Sequence, residues 1–176
     1  MNDRDALALL RPAVHLAGGE RWADLGAGTG TFTRALASLV GADGQVIAVD
    51  ADDGALATLR RRPGRSAEAP VSGLHGDVSR PLDLPPLDGV LMANTLHFLP
   101  DAPNALALAA GYLRPGGRLV LIEYEGRRPS PWVPHPVSFA RFGELASGAG
   151  LTPPERVATR PSAYGGEMYV AVSRKP

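Results

Sequence analysis

The sequence contains no cysteine among its 176 residues. A chain without thiols forms no disulfide, no thiolate metal site and no covalent intermediate through a cysteine nucleophile. It also lacks a surplus of either charge, since 18 basic side chains balance 18 acidic ones. A domain built to grip polyanionic nucleic acid carries a basic surplus. These absences argue against thiol chemistry and against a nucleic-acid partner.

Long apolar runs are missing as well. No stretch approaches the roughly 20 apolar residues that a membrane-spanning helix needs, and Asp3 and Asp5 stand where a signal peptide would carry basic residues. We therefore expect no membrane partner and a cytoplasmic location. The length suits one domain over residues 1–176, and the 44% hydrophobic content is enough to fill its core.

A glycine-rich segment lies between an apolar run and a predicted helix. Gly26, Gly28 and Gly30 let the backbone turn tightly and leave room for a ligand. The helix that follows offers its first amide groups and its dipole to an anionic group. Asp50 ends the next apolar run, 20 residues after Gly30, and is placed to accept hydrogen bonds from ribose hydroxyls. Together the two segments predict a ligand that contains adenosine.

The spacing of the glycines distinguishes two classes of adenosine ligand. A dinucleotide fingerprint needs its third small residue where this chain has Thr31, and the glycine falls one residue early, at Gly30. Asp24 would repel a pyrophosphate, whereas it suits a ligand with an ammonium or sulfonium charge. The segment resembles motif I of the class I S-adenosylmethionine-dependent methyltransferases, D/E-x-G-x-G-x-G, at all four fixed positions.

The resemblance extends from about residue 20 to residue 124, through 74–78, 87–99 and 113–123. It implies S-adenosylmethionine as the cofactor and no metal. The exit from the fourth strand reads Asn94-Thr95-Leu96-His97, which lacks the Asn/Asp-Pro-Pro-aromatic tetrapeptide of enzymes that methylate exocyclic amines of DNA or glutamine. The residues implied to contact the cofactor are Asp24, Gly26, Ala27, Gly28, Thr29, Gly30, Phe32, Asp50, Ala51, Asp77, Val78 and Asn94.

Several of these residues have a local alternative. Asp50 is also placed to cap the next helix, as are Asp52 and Asp53. Asp77, which in the family commonly faces the adenine amine, lies in a Gly-Asp turn where aspartate is frequent anyway. Asn94 is either a turn residue or a neighbour of the methionine end of the cofactor.

Strands and helices alternate along the chain, which predicts a doubly wound, mostly parallel α/β sheet. The resemblance implies seven strands in a Rossmann-like methyltransferase fold whose last strand is antiparallel. In such sheets the ligand binds at the carboxyl ends of the strands, where the predicted acids and Asn94 would converge. We expect strands at 21–25, 45–50, 71–75, 88–93, 118–124, 155–159 and 167–173. We expect helices at 3–17, 32–40, 53–62, 101–113 and 138–149.

Methyl transfer from a sulfonium is an in-line displacement, so the protein mainly aligns the acceptor and excludes water. A general base is needed only if the acceptor keeps its proton at neutral pH. His97 is our candidate, with Glu123 and Tyr124 as lesser ones; the alternative is a histidine that merely packs in its loop. The predicted reaction is transfer of a methyl group from S-adenosylmethionine to an O, N or C atom of a small molecule.

Residues 125–137 contain four prolines around Trp132. This segment is predicted to form a stiff lid over the acceptor, with an apolar wall suited to an aromatic molecule. The alternative is an irregular connection whose tryptophan packs on its own domain. The sequence leaves a homodimer open.

Two other functions remain compatible with the sequence. One is a non-catalytic module or partner subunit that binds S-adenosylmethionine. The other is a nicotinamide-dependent oxidoreductase, against which Asp24 and the early Gly30 argue, as does the lack of paired residues for hydride transfer.

Overall fold

The computed structural model describes residues 1–14, 18–62, 64–162 and 165–176. Within these residues the strands form one seven-stranded sheet with the order β3-β2-β1-β4-β5-β7-β6. Strands β1 to β5 are parallel, and β7 is antiparallel to both of its neighbours. The predicted fold class is therefore confirmed. The strands are β1 Arg21–Leu25, β2 Gln45–Asp50, β3 Val71–His75, β4 Leu87–Ala93, β5 Leu113–Glu125, β6 Glu155–Pro161 and β7 Glu167–Arg174.

Five α-helices occur in the described part of the chain. They are α1 Asp3–Leu10, α2 Thr31–Val40, α3 Asp53–Arg61, α4 Ala102–Gly111 and α5 Phe139–Gly148. The helix predicted over 3–17 ends at Leu10, followed by a 3₁₀ turn over Arg11–Ala13, because Pro12 has no N–H to continue the helical ladder. Residues 15–17 of that prediction lie outside the described residues. None of the described helices combines the length and the apolar character that crossing a bilayer would require.

The helices cover both faces of the sheet. On one face α4 and α5 pack through residues such as Leu106 and Phe142, and on the other α1 and α2 pack through Leu10 and Leu36. Neighbouring residues of β5 point alternately into the two layers, with Leu121 on the first face and Ile122 on the second. Because helices cover both faces of the sheet, the carboxyl ends of β1, β2 and β4 remain open along one side of it. This side, where the parallel strands end, is the edge of the sheet that concerns the site.

Strand β5 begins earlier than residue 118, where the sequence placed it. Leu113 pairs with Leu87, with a register shift between Leu87 and Gly89. The N–H of Gly116 donates to the carbonyl of Lys175 at 2.8 Å. The segment Pro115-Gly116-Gly117, whose composition is typical of a turn, is thus part of the irregular start of β5.

Candidate active site

The glycine-rich loop between β1 and α2 contains three glycines with positive φ, at 81° for Gly26, 53° for Gly28 and 91° for Gly30. A Cβ on Gly26 would lie 2.3 Å from Thr95 Oγ1, and one on Gly30 would lie 2.2 Å from Leu59 Cδ1. These two glycines are therefore required by packing within the protein. A Cβ on Gly28 would meet nothing within 4 Å. The space open to a ligand lies above Gly28.

Asp50, at the end of β2, is bonded to this loop. Its Oδ2 accepts the Gly28 N–H at 2.7 Å, and its Oδ1 accepts the Asp52 N–H at 2.9 Å. Asp52 is the residue that caps α3, since its side chain accepts from the N–H groups of Gly54 and Ala55. Asp50 is only half-buried, so its carboxylate holds the loop in place and remains accessible beside it.

Asp24 is a buried carboxylate one residue before the end of β1. Its Oδ2 accepts the Thr33 hydroxyl at 2.6 Å, while Oδ1 has no hydrogen-bond partner in the described part of the chain. Burial raises the pKa of Asp24 to about 7; the Thr33 hydrogen bond opposes the rise and the charge of Asp50 adds to it. A buried oxygen without a partner is costly, and a cationic ligand would satisfy it.

Asn94 follows β4 at the same edge, with a left-handed φ of 54°. Its N–H donates to the Ile122 carbonyl at 2.8 Å, and its Oδ1 is buried without a partner among the described residues. Strained backbone of this kind is concentrated at ligand sites. Asn94 and Asp24 thus each present an unsatisfied side-chain oxygen at the ends of adjacent strands.

Asp77 differs from the other predicted acids because its carboxylate accepts hydrogen bonds within its own turn. Its Oδ1 accepts from the Ser79 N–H at 2.9 Å and from the Ser79 hydroxyl at 2.6 Å, and these bonds lower the pKa of Asp77. The preceding N–H, of Gly76, donates to the Asp50 carbonyl at 3.0 Å, which places this turn beside the end of β2. The adenine contact of Asp77 stays a prediction.

The remaining residues predicted to contact the cofactor follow β1, β2 or β3 along the chain. Ala51 and Thr29 are exposed, and Ala27, which lies within the glycine-rich loop, is buried. Phe32 and Val78 are partly buried and pack against the apolar core. Their contacts with a cofactor also stay predictions.

A cavity of about 540 Å³ opens beside Asn94. Its remaining walls come from the exit of β4, the end of β5 and the proline-rich segment, through His97, Phe98, Tyr124, Arg127, Ser130, Trp132 and Val133. Trp132 is 82% exposed and Phe98 is 53% exposed, which is unusual for large apolar side chains. The proline-rich segment therefore borders a cavity at the edge where the glycine loop lies, and its tryptophan does not pack into the core.

His97 lines this cavity and lies in a 3₁₀ turn, Leu96–Phe98, that the sequence did not predict. Its Nδ1 lies 2.7 Å from Glu123 Oε2, and its backbone N–H donates to Glu123 Oε1 at 3.1 Å. Both side chains are buried, at 2% and 0% exposure. The sequence indicates the two residues as separate candidates but does not indicate that they pair. The available signal was a glutamate inside the apolar run of β5.

The sequence model of a family described as "Methyltransferase domain" matches residues 23–117. The chain is 33% identical over 114 residues to a demethylmenaquinone methyltransferase from Symbiobacterium thermophilum, a match that covers 62% of this chain and 45% of that protein. It is 32% identical over 131 residues to the O-methyltransferase cnsE from Penicillium expansum, covering 72% of this chain and 45% of that protein. The chain thus spans somewhat under half the length of these curated relatives.

A solved structure from Burkholderia thailandensis is similar over nearly the whole chain. It is that of 1,6-didemethyltoxoflavin-N1-methyltransferase with bound 1,6-didemethyltoxoflavin and S-adenosylhomocysteine. The TM-score is 0.73 and the sequence identity 29%, and the match covers 98% of this chain and 77% of the other. The similarity extends beyond residues 23–117 to the segment that borders the cavity.

Proposed function

Because this chain belongs to the class I S-adenosylmethionine-dependent methyltransferases, we propose that it transfers the methyl group of S-adenosylmethionine to an O, N or C atom of a small planar acceptor. The observation that supports this most directly is the cavity lined by Asn94 and His97, which follow β4 at the end of the sheet where the glycine loop follows β1. The proposal includes no nucleic-acid or membrane partner. A cytoplasmic location stays a prediction, and the question of a homodimer stays open.

The carboxylate oxygens of Asp24 and Asp50, which accept hydrogen bonds, suit this cofactor chemically. The unsatisfied Asp24 Oδ1 suits the ammonium of the methionine moiety, and the half-buried Asp50 suits the ribose hydroxyls. The open space above Gly28 admits the cofactor close to the backbone. When bound, S-adenosylmethionine supplies a methyl carbon made electrophilic by the sulfonium. The protein contributes binding, alignment and the exclusion of water.

The cavity walls favour a flat, largely apolar acceptor. Phe98, Tyr124 and Trp132 provide aromatic faces, and aromatic surfaces in a pocket bind planar rings by stacking and apolar burial. The names of two similar proteins refer to demethylmenaquinone and to 1,6-didemethyltoxoflavin. A cavity of about 540 Å³ has room for one such ring system.

Calorimetric titration with S-adenosylmethionine, S-adenosylhomocysteine and NAD tests the cofactor, and release of S-adenosylhomocysteine with planar phenols and N-heterocycles tests the reaction. We expect micromolar binding of the first two ligands and turnover of at least one acceptor class. Binding without turnover of any acceptor would favour a non-catalytic module. Binding of NAD alone would overturn the proposal.

Gly28→Ala is expected to weaken S-adenosylmethionine binding by about 10- to 100-fold, or about 1.4–2.8 kcal/mol. The new methyl group would enter the open space above the loop. Gly41→Ala is the matched control, because Gly41 also has positive φ and free space around its Cβ, but at the end of α2. Calorimetry should show that this control retains full affinity. An equal loss in both variants would mean that backbone strain alone is responsible.

Trp132→Ala is expected to raise the acceptor KM by about 5- to 50-fold, because one wall of the cavity is removed. The melting temperature and the S-adenosylmethionine affinity should hardly change, since the side chain is 82% exposed. Initial rates at saturating cofactor and a thermal melt measure these effects. An unchanged KM would show that the proline-rich segment does not contact the acceptor.

A further inference from the structure

We propose that Glu123 holds His97 in the tautomer whose Nε2 is unprotonated, so that His97 removes the proton from a hydroxyl group of the acceptor. The acceptor class is then a phenol or enol rather than a nitrogen base with a free lone pair. This inference rests on the proposed methyl transfer and narrows its acceptor. His97 is the catalytic residue, and Glu123 is a positioning residue.

The tautomer follows from the two hydrogen bonds to one carboxylate. An ionised glutamate only accepts hydrogen bonds. Glu123 Oε1 accepts the backbone N–H of His97 at 3.1 Å, and Oε2 lies 2.7 Å from Nδ1. In the proposed state Glu123 is ionised, so its Oε2 accepts the Nδ1–H. The remaining lone pair is therefore on Nε2. The same carboxylate stabilises the imidazolium that forms when Nε2 gains a proton.

The free nitrogen belongs to a residue that lines the cavity. Among the described residues no group forms a hydrogen bond with His97 Nε2. The ring is held between Phe98, at 4.3 Å between centroids, and Tyr124, at 5.9 Å. A histidine that served only packing would not need a fully buried carboxylate, because burying that charge is costly. The arrangement matches a base that is fixed in orientation in the wall of the cavity.

The proposed step transfers one proton and one methyl group. The acceptor O–H gives its proton to His97 Nε2, and an oxygen lone pair forms the new bond to the methyl carbon. The electron pair of the broken carbon–sulfur bond stays on sulfur, which becomes a neutral thioether. The imidazolium returns its proton to water after product release. A phenol has a pKa of about 10, so it is almost wholly protonated at neutral pH and needs this base.

Phenols of graded acidity test the assignment. In Glu123→Gln only one side-chain oxygen is left to accept hydrogen bonds, whereas the backbone N–H and the Nδ1–H of His97 both need an acceptor. The new amide NH₂ that faces Nδ1 would donate to it and would therefore favour the opposite tautomer of His97. We expect kcat/KM for phenol to fall about 10²- to 10⁴-fold in this variant. Pentafluorophenol is already ionised at pH 7.5 and needs no base, so its kcat/KM should fall less than about 10-fold. Asp88→Asn, which changes a largely buried carboxylate near the amino end of β4, should change neither value. Equal losses on both phenols would overturn the proposal.

A measurement without substrate distinguishes a changed tautomer from a variant that is misfolded. In protein labelled with ¹⁵N-histidine, the His97 signals are identified by their loss in His97→Gln. We expect a protonated Nδ1 and an unprotonated Nε2 in the native protein, and the reverse in Glu123→Gln. The opposite tautomer in the native protein would overturn the proposal. Turnover of N-heterocycles but of no phenol would also overturn it while leaving methyl transfer intact, whereas failure to bind S-adenosylmethionine would refute the proposed function itself.

Discussion

Asp24→Asn is expected to stabilise the fold at pH 8 by about 2–4 kcal/mol. Burial raises the pKa of Asp24 from 3.8 to about 7, so the folded protein binds this proton more tightly than the unfolded chain does. The free energy of unfolding therefore falls as the pH rises from about 4 to about 7, and the full penalty is present above that range. Asparagine has no charge to bury and keeps an oxygen for the Thr33 hydroxyl.

The two proteins should differ little in stability below pH 4, where the aspartate is protonated in both states. Urea unfolding at pH 3.5, 6 and 8 measures the trend, provided that the fold persists at the lowest pH. Asp88→Asn removes a largely buried carboxylate that is paired with Arg114; it should not stabilise the protein. A loss of stability on Asp24→Asn at pH 8 would contradict the argument.

The same substitution is expected to weaken S-adenosylmethionine binding by about 30- to 1000-fold, because it removes a charge-assisted pair with the ammonium. Only the ionised carboxylate makes that pair, so the native affinity should fall as the pH drops below about 7. Calorimetry from pH 5.5 to 8.5 should show this slope in the native protein and a flatter profile in the variant. A native affinity independent of pH would exclude Asp24 from the ammonium site.

Most of the fold could be predicted from the sequence. The bounds of β1, β2 and β3 agree with the prediction, because each is a short run ended by an acid or a glycine turn. Strand β5 was predicted less well, since its first residues are held by Leu87 and Lys175, which are far away in the sequence. Local composition does not specify such pairings.

The candidate site was predicted in its parts but not in its connections. The sequence indicates that Asp24, Asp50 and Asn94 lie at or next to the carboxyl ends of parallel strands, and this is enough to bring them to one side of the sheet. It does not signal which of their oxygens lack partners, nor that Asp52 rather than Asp50 caps α3. Those outcomes depend on side-chain directions that only the packed structure fixes.

The His97–Glu123 pair was missed for a related reason. Its members lie 26 residues apart and meet because Ala93 pairs with Ile122 across β4 and β5. The 3₁₀ turn at Leu96–Phe98 then directs the ring back onto β5. Neither the register nor the turn has a signature in the sequence, so the two residues could be named only as separate candidates.

Trp22→Ala is expected to cost about 3–5 kcal/mol of folding free energy. Trp22 is fully buried, and a Cβ on Gly89 would lie 2.4 Å from its ring atoms, so the indole lies flat against the backbone of β4. Its Nε1–H donates to Glu20 Oε2 at 2.9 Å, and the Arg118 guanidinium lies 5.2 Å from the ring centroid. Alanine would leave a cavity that rigid strands on both sides cannot close.

Trp22→Phe retains most of the apolar volume and should cost only about 1–2 kcal/mol, mainly for the lost indole hydrogen bond. Urea unfolding followed by far-UV circular dichroism distinguishes the two variants, and equal costs would show that the hydrogen bond, not the cavity, dominates.

Trp22 and Asp24 lie on the same face of β1, because residues two apart in a strand point the same way. Trp22→Ala should destabilise the fold, yet the folded variant should keep its affinity for S-adenosylmethionine. Asp24→Asn should stabilise the fold at pH 8 and weaken the binding of S-adenosylmethionine. If the two substitutions change stability and affinity in this opposite way, Trp22 stabilises the fold, whereas Asp24 lowers its stability and serves to bind the ligand. Parallel effects would mean that the stability of the strand and the cofactor site cannot be separated.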